Sequence, residues 1–248
     1  MAAENQAHGP LAQFEIHELV PIHIGDLNLS YTNSSLWMTI TLVLTVLLFT
    51  AGMRGRAMVP GRMQSIAELS YEFVANMVRD NVGNAGRPYF PFIFSLFMFI
   101  VLGNLLGMVP YSFTFTSHIV VTFALALVVF IGVTIVGFAT HGLGFIKFFV
   151  PSGVPLPLLF ILVPIEVLSY FVRPVSLSLR LFANMMAGHT MLKVFGGFVV
   201  GLGVWLGWAP LLLIIALTGL EIGIALLQAY VFAVLSCLYL NDALHMHH

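Results

Sequence analysis

The chain has 248 residues, 60% of them hydrophobic and only 8% charged, with a formal net charge of −1. A soluble domain carries about 25% charged residues, so this is an integral membrane protein, and the fold class expected from the elements that follow is all-α. The near-zero charge excludes a large basic surface for nucleic acid, and a single cysteine, Cys237, excludes an internal disulfide.

Residues 1–33 hold Glu4, Glu15, Glu18, Asp26, three histidines, Pro10 and Pro21. They read as an extracytoplasmic arm with a short interfacial piece at Phe14–Val20. No basic start leads into an apolar core, so no cleavable signal is expected. No charge occurs between Asp26 and Arg54. Residues 34–53, centred on Leu36–Ala51, match the ~20 apolar residues that a membrane crossing needs.

Arg54, Arg56, Arg62, Arg79 and Arg87 then cluster within 54–88. The positive-inside rule makes this loop cytoplasmic and the N-terminus external. Within it, Ile66, Leu69, Phe73 and Met77 recur at helical spacing, with Glu68, Glu72, Asn76 and Arg79 on another face. That pattern predicts an amphipathic helix, lying on the membrane surface or against a partner subunit.

From Pro88 to Ile146 there is no Asp, Glu, Lys or Arg. Pro110 and the polar run Ser112–His118 divide the stretch 89–140 into a transmembrane hairpin, with spans near 90–109 and 118–140. Asn104 inside the first span reads as a helix–helix hydrogen bond or as a channel group, and His118 as an interfacial residue. Residues 141–157, with His141, Lys147, Pro151, Pro155 and Pro157, form a cytoplasmic turn.

The last third contains Glu166, Arg173, Arg180, His189, Lys193 and Glu221 in otherwise apolar sequence. Glycines from Gly196 to Gly207, with Pro210, divide 158–240 into two helices, near 158–195 and 211–240. At ~1.5 Å per residue the first exceeds ~50 Å, more than a ~30 Å hydrocarbon layer. It must tilt, bend or break, and Pro164 and Pro174 are candidate kinks. Residues 241–248 are a cytoplasmic tail. Its histidines, His245, His247 and His248, read as solvated rather than as metal ligands. No metal or cofactor site is expected, and no internal repeat is evident.

Charge at a helix centre in lipid costs roughly 2.5–3.5 kcal/mol per Arg or Lys on insertion scales, so this concentration of ionisable groups points to ion movement. Glu166, Arg173 and Arg180 are spaced by seven and share a slowly drifting stripe. Ser169 and Ser176 lie near it, and Asn184 one turn beyond Arg180. Glu221 and Gln228, also seven apart, share a face of the final helix. His189 is half a turn out of phase with Arg180, so it faces another compartment or the last helix. A bland reading pairs buried charges internally, Arg173 with Glu166 for instance. It explains Arg180 less well, because no acid lies within a turn and an arginine cannot shed its proton. Lys193 reads as a side chain snorkelling to the interface.

The stretch RPVSLSLRLFANMMAGH (173–189) resembles the signature of the subunit a family of the F-type rotary ATP synthases. EIGIALLQAYVFAVL (221–235), Glu166, FEIHELVPI and GNLLGMVPYSF extend the resemblance over essentially the whole chain. It implies a non-catalytic, proton-conducting stator beside a rotating ring of c subunits, with peripheral-stalk b subunits and other ATP synthase subunits as partners in the lipid bilayer. Arg180 falls on the family's essential arginine, opposite the ring carboxylate. His189 and Glu221 fall on positions where the family places one histidine and one acid. The resemblance implies an outer half-channel lined by His189, Glu221, Asn184 and Gln228. It implies a cytoplasmic one walled by Glu166, Ser169, Arg173 and Ser176. Some relatives have aspartates in the turn where this chain has Gly107 and Ser112. The implied setting is a bacterial inner membrane, with a mitochondrial one as the alternative.

An ion-coupled secondary transporter is the competing class, and such folds often show internal repeats. Intramembrane hydrolases are disfavoured, since neither HExxH nor GxSxG occurs. A purely structural subunit would not need Arg180.

Overall fold

The computed structural model describes residues 12–24, 27–28, 30–54, 60–109, 112–150 and 155–245. Glu4, Pro10, Asp26, Arg56, Pro110, Pro151, His247 and His248, named above, lie outside them. Apolar sequence without water to bond the backbone must satisfy its amides internally, and the described residues are accordingly dominated by helices. These are α1 (Asn33–Met53), α2 (Arg62–Val82), α3 (Phe90–Gly107), α4 (Ile119–His141), α5 (Leu156–Leu206) and α6 (Trp208–Leu244). Among them are five helical segments long and apolar enough to cross a membrane, with α2 and α3 counted as one.

Among its described residues before Asn33, the arm is not helical beyond a 3-10 turn at Ala12–Phe14. Two-stranded antiparallel pairs join β1 (Glu18–Val20) to β4 (Tyr31–Thr32), and β2 (His23–Ile24) to β3 (Leu27–Asn28). Thr32 caps α1 by accepting a hydrogen bond from the Ser35 amide at 3.3 Å, which serves one of the helix's orphan N–H groups. The expected interfacial piece at Phe14–Val20 is thus a turn running into a strand.

Helix α2 forms where the periodicity placed it, and most of the expected apolar stripe lies open on the outside of the chain. Ala67, Val74, Met77, Val78 and Val82 are buried, whereas Ile66, Leu69 and Phe73 are exposed. The helix carries two apolar stripes, and the smaller side chains take the inner one.

The 51 residues of α5 are two helical stretches joined across a kink. Pro164 and Pro174 lie inside it without leaving helical torsions; the one non-helical residue is Gly203, at φ 65°. The break expected from Gly196 onward therefore falls later, at Gly203–Gly207. Pro210 sits in the first turn of α6, where a missing N–H leaves no bond unmade.

The chain forms two compact units. One comprises residues 1–67, 98–118 and 181–229, the other 68–97, 119–180 and 230–248. In the first, Ile100, Phe115, Leu181, Met185 and Ala225 are buried. In the second, Phe145 stands among Phe138, Phe148, Phe149 and Tyr170, with ring centroids 5.0–6.4 Å apart. Tyr170 resolves its buried hydroxyl against Thr134 at 2.7 Å.

Candidate functional site

In the first unit, α5 and α6 bring their polar residues together. His189 Nδ1 lies 2.6 Å from Glu221 Oε1. The half-turn offset noted in the sequence is resolved this way: His189 faces the last helix. The approach needs a missing side chain, since a Cβ at Gly188 would sit 2.7 Å from the same carboxylate oxygen. One turn along α5, Asn184 Nδ2 donates to Gln228 Oε1 at 2.8 Å. Two polar pairs thus join α5 to α6.

Glu221 is 4% exposed and Gln228 1%. The Nδ1 hydrogen of His189 is better aligned with the Met185 carbonyl, 3.1 Å away. The contact with Glu221 is consequently a close approach rather than an aligned hydrogen bond, and neither carboxylate oxygen has an aligned hydrogen-bond donor among the described residues. Gln228 Nε2 and Asn104 Oδ1 are buried without a partner among them too. Buried polar groups normally find one. A cluster with this much spare capacity suits groups that exchange protons or hold water rather than a closed structural network.

Asn104 supplies the helix–helix hydrogen bond of its first reading, with Nδ2 donating to the Ala225 carbonyl at 3.2 Å. That places it against α6 between the turns of Glu221 and Gln228. On the other side of the imidazole, Nε2 lies 2.9 Å from Thr114 Oγ1 and 3.0 Å from the Gly107 carbonyl. Sequence reasoning singled out neither contact. Thr114 is 75 residues from His189 and sits in a short polar run that carried no charge signal.

A cleft of about 750 Å³ reaches this cluster, and its walls include Glu15, His17, His189, Lys193, Thr218 and Glu221. Asn33 fastens the arm beside it: its side chain donates to the Glu15 carbonyl at 3.0 Å and accepts from the His17 amide at 3.3 Å. Lys193 is exposed. His118 stacks on Phe113 at 5.0 Å, and burial pushes its pKa below the ordinary value.

The second unit treats its cations differently. Arg173 Nη1 donates to Asp242 Oδ2 at 2.9 Å. Its guanidinium carbon lies 5.9, 5.7 and 5.1 Å from the ring centroids of Phe148, Tyr170 and Tyr239. The bland reading of an internally paired Arg173 holds with a different acid than its example, Glu166: the partner is Asp242, brought in from the end of α6. Glu166 is partly buried, and Ser169 and Ser176 are exposed on α5. Arg180 is exposed on an apolar helix, beside the exposed Leu179. Among the described residues it has no carboxylate within ion-pair distance. No group of three or more His, Cys, Asp or Glu side chains that could hold a metal occurs among them.

Comparison with known proteins is consistent along the whole chain. Residues 35–241 match the family model described as ATP synthase A chain. The chain is 57% identical over 243 residues to ATP synthase subunit a of Pelagibacter ubique, covering 98% of this chain and 100% of that one. It is 61% identical over 246 residues to that of Parvibaculum lavamentivorans, covering 96% and 94%. Identity to that of Paramagnetospirillum magneticum is 57% over 244 residues, covering 96% and 99%.

Proposed function

From the premise that this chain belongs to the ATP synthase A chain family, as a non-catalytic, proton-conducting membrane subunit of the F-type complex, we propose that Arg180 is the charge that couples proton flow to rotation. The observation that carries this reading is the state of Arg180: exposed on an apolar helix, with no carboxylate of its own chain in ion-pair reach among the described residues. A permanent cation in lipid needs a counter-charge, and here a ring of c subunits provides it from outside the chain.

The physics gives the step a direction. A ring carboxylate facing lipid holds its proton, because desolvation penalises the anion. At ~4 Å from Arg180 and an effective dielectric near 20, attraction is of order 4 kcal/mol. That equals about three powers of ten in proton affinity. The proton leaves, the anion pairs with Arg180, and rotation carries it on until it is protonated again. The same fixed charge bars protons from passing straight between the two aqueous paths.

The outer path runs through His189, Glu221, Asn184 and Gln228. The geometry favouring it is the cleft that reaches His189 and Glu221 and the buried polar cluster beyond. The cytoplasmic path is walled by Glu166, Ser169, Arg173 and Ser176, with Arg173 as a held charge at its edge. A membrane potential supplies about 2.3 kcal/mol per charge per 100 mV to bias the cycle. In this reading the arginine-rich loop 54–88 faces the cytoplasm and residues 1–33 face outward. The membrane is a bacterial inner membrane, and peripheral-stalk b subunits hold the stator against the ring.

Inverted membrane vesicles carrying Arg180→Ala test the proposal, with assembly of the complex verified and ATP-driven acidification followed by a pH-sensitive dye. Pumping falls to background, and a passive proton leak appears as the barrier is removed. Pumping near wild type in an assembled complex would overturn it.

A further inference from the structure

The turn after α3 carries no charged side chain, yet it reaches one side of the imidazole at the centre of the outer path. Thr114 is 4% exposed. Its hydroxyl donates to the Gly107 carbonyl at 2.9 Å. That commits its only proton and leaves a lone pair toward His189 Nε2, also 2.9 Å away. The Gly107 carbonyl itself lies 3.0 Å from Nε2. This nitrogen thus faces two acceptors.

The other nitrogen also faces two: the Met185 carbonyl at 3.1 Å and Glu221 Oε1 at 2.6 Å. A neutral imidazole has one N–H donor, and the doubly protonated ring has two. Four acceptors around two nitrogens are therefore arranged for a ring that donates on both sides. A second glycine makes this possible, since a Cβ at Gly107 would sit 2.7 Å from Thr114 Oγ1.

We propose that Thr114 is a positioning residue for His189: with the Gly107 carbonyl it fixes the ring's orientation toward Glu221 and provides the acceptor that the proton-loaded ring requires. The inference rests on the reading that His189 lies on the proton path. Thr114 holds the proton-bearing form in register and is not itself a carrier.

The test compares Thr114→Val, close in shape but without the hydroxyl, with Thr114→Ser, which restores it. ATP-driven pumping is recorded across pH in inverted vesicles with equal amounts of assembled complex. Glu15, His17, Lys193 and Glu221 line the same cleft, and they remain in every variant as a common background. Thr114→Val lowers the pumping rate by roughly fivefold, as one lost buried hydrogen bond implies. It also moves the alkaline limb of the profile to lower pH, because the loaded ring has lost an acceptor. Thr114→Ser recovers most of the rate and the original limb.

A wild-type rate and profile for Thr114→Val overturn the proposal. So does a lowered rate with an unmoved profile that serine fails to rescue, the mark of a packing defect. Should Thr114→Val not assemble, Gly107→Ala decides, since its methyl displaces the same hydroxyl: an acid-shifted limb supports the proposal and an unmoved one overturns it. His189→Ala is measured in parallel. If it pumps like wild type, the proton path itself is misassigned. If it is impaired while Thr114→Val is not, only the positioning role fails.

Discussion

Arg173 and Arg180 stand two turns apart on the same helix and are treated in opposite ways. Arg173 has a carboxylate at 2.9 Å and three aromatic rings within 5.9 Å of its guanidinium carbon. Arg180 lies exposed among apolar neighbours. The chain can enclose an arginine with its own groups, as Arg173 demonstrates. Leaving the next one open is then a property of that position, and it is why the coupling role is assigned to Arg180 and not to its neighbour.

The contrast can be broken from either end. The largest effect belongs to Arg180, whose loss removes pumping altogether in the vesicle assay proposed above; a comparable loss from neutralising Arg173 would erase the distinction. Next comes Glu221→Gln, which preserves shape but removes the charge beside His189. A carboxylate this close to an imidazolium at an effective dielectric near 20 contributes a few kcal/mol, so proton pumping falls by about ten- to a hundredfold, measured by the same dye response. A change of less than twofold would remove Glu221 from the path.

Asp242→Asn acts on the enclosed arginine. The pair is partly exposed, at 22% and 39% of its side chains, which limits its worth to about 1 kcal/mol. Arg173 also keeps its aromatic contacts, each about 0.5–1 kcal/mol. The detergent-solubilised complex loses a few degrees of thermal stability while pumping stays within about twofold. Abolished pumping with unchanged stability would make Arg173 functional and not structural.

The smallest effect lies at His118, where burial lowers the pKa. A histidine kept neutral by the fold contributes stability above its unfolded value, near 6.5, and that contribution is lost as pH falls below it. His118→Phe flattens the decline in thermal stability between about pH 6.5 and 5, and an unchanged slope would exclude His118 as its source.

Long apolar runs made the helices of this chain legible, because apolar length and absent charge are local signals. The seven-residue spacings also placed Glu221 and Gln228 on one face, ready to meet His189 and Asn184. What sequence could not supply were contacts between distant segments. Asp242 reaches Arg173 across 69 residues, and Thr114 reaches His189 across 75. Uncharged Thr114 carries no mark of that role.

Glycine misled in the opposite direction. Gly196, Gly197 and Gly201 looked like a helix end, yet a glycine inside a helix costs only about 1 kcal/mol, and a backbone without water has strong reason to stay bonded to itself. On α2, periodicity marked Ile66, Leu69 and Phe73, which stay exposed, while the chain packs on that helix through Ala67, Val74, Met77 and Val78.

The cleft beside His189 has a consequence for supply. At neutral pH a space of about 750 Å³ contains a free hydronium for only a minute fraction of the time. Delivery from the proposed mouth must then run along polar side chains and water, and Glu15 and His17 stand on its wall. Both belong to the arm, stitched in place through Asn33. Throughput of the proposed path would then be set partly by how firmly that arm is held.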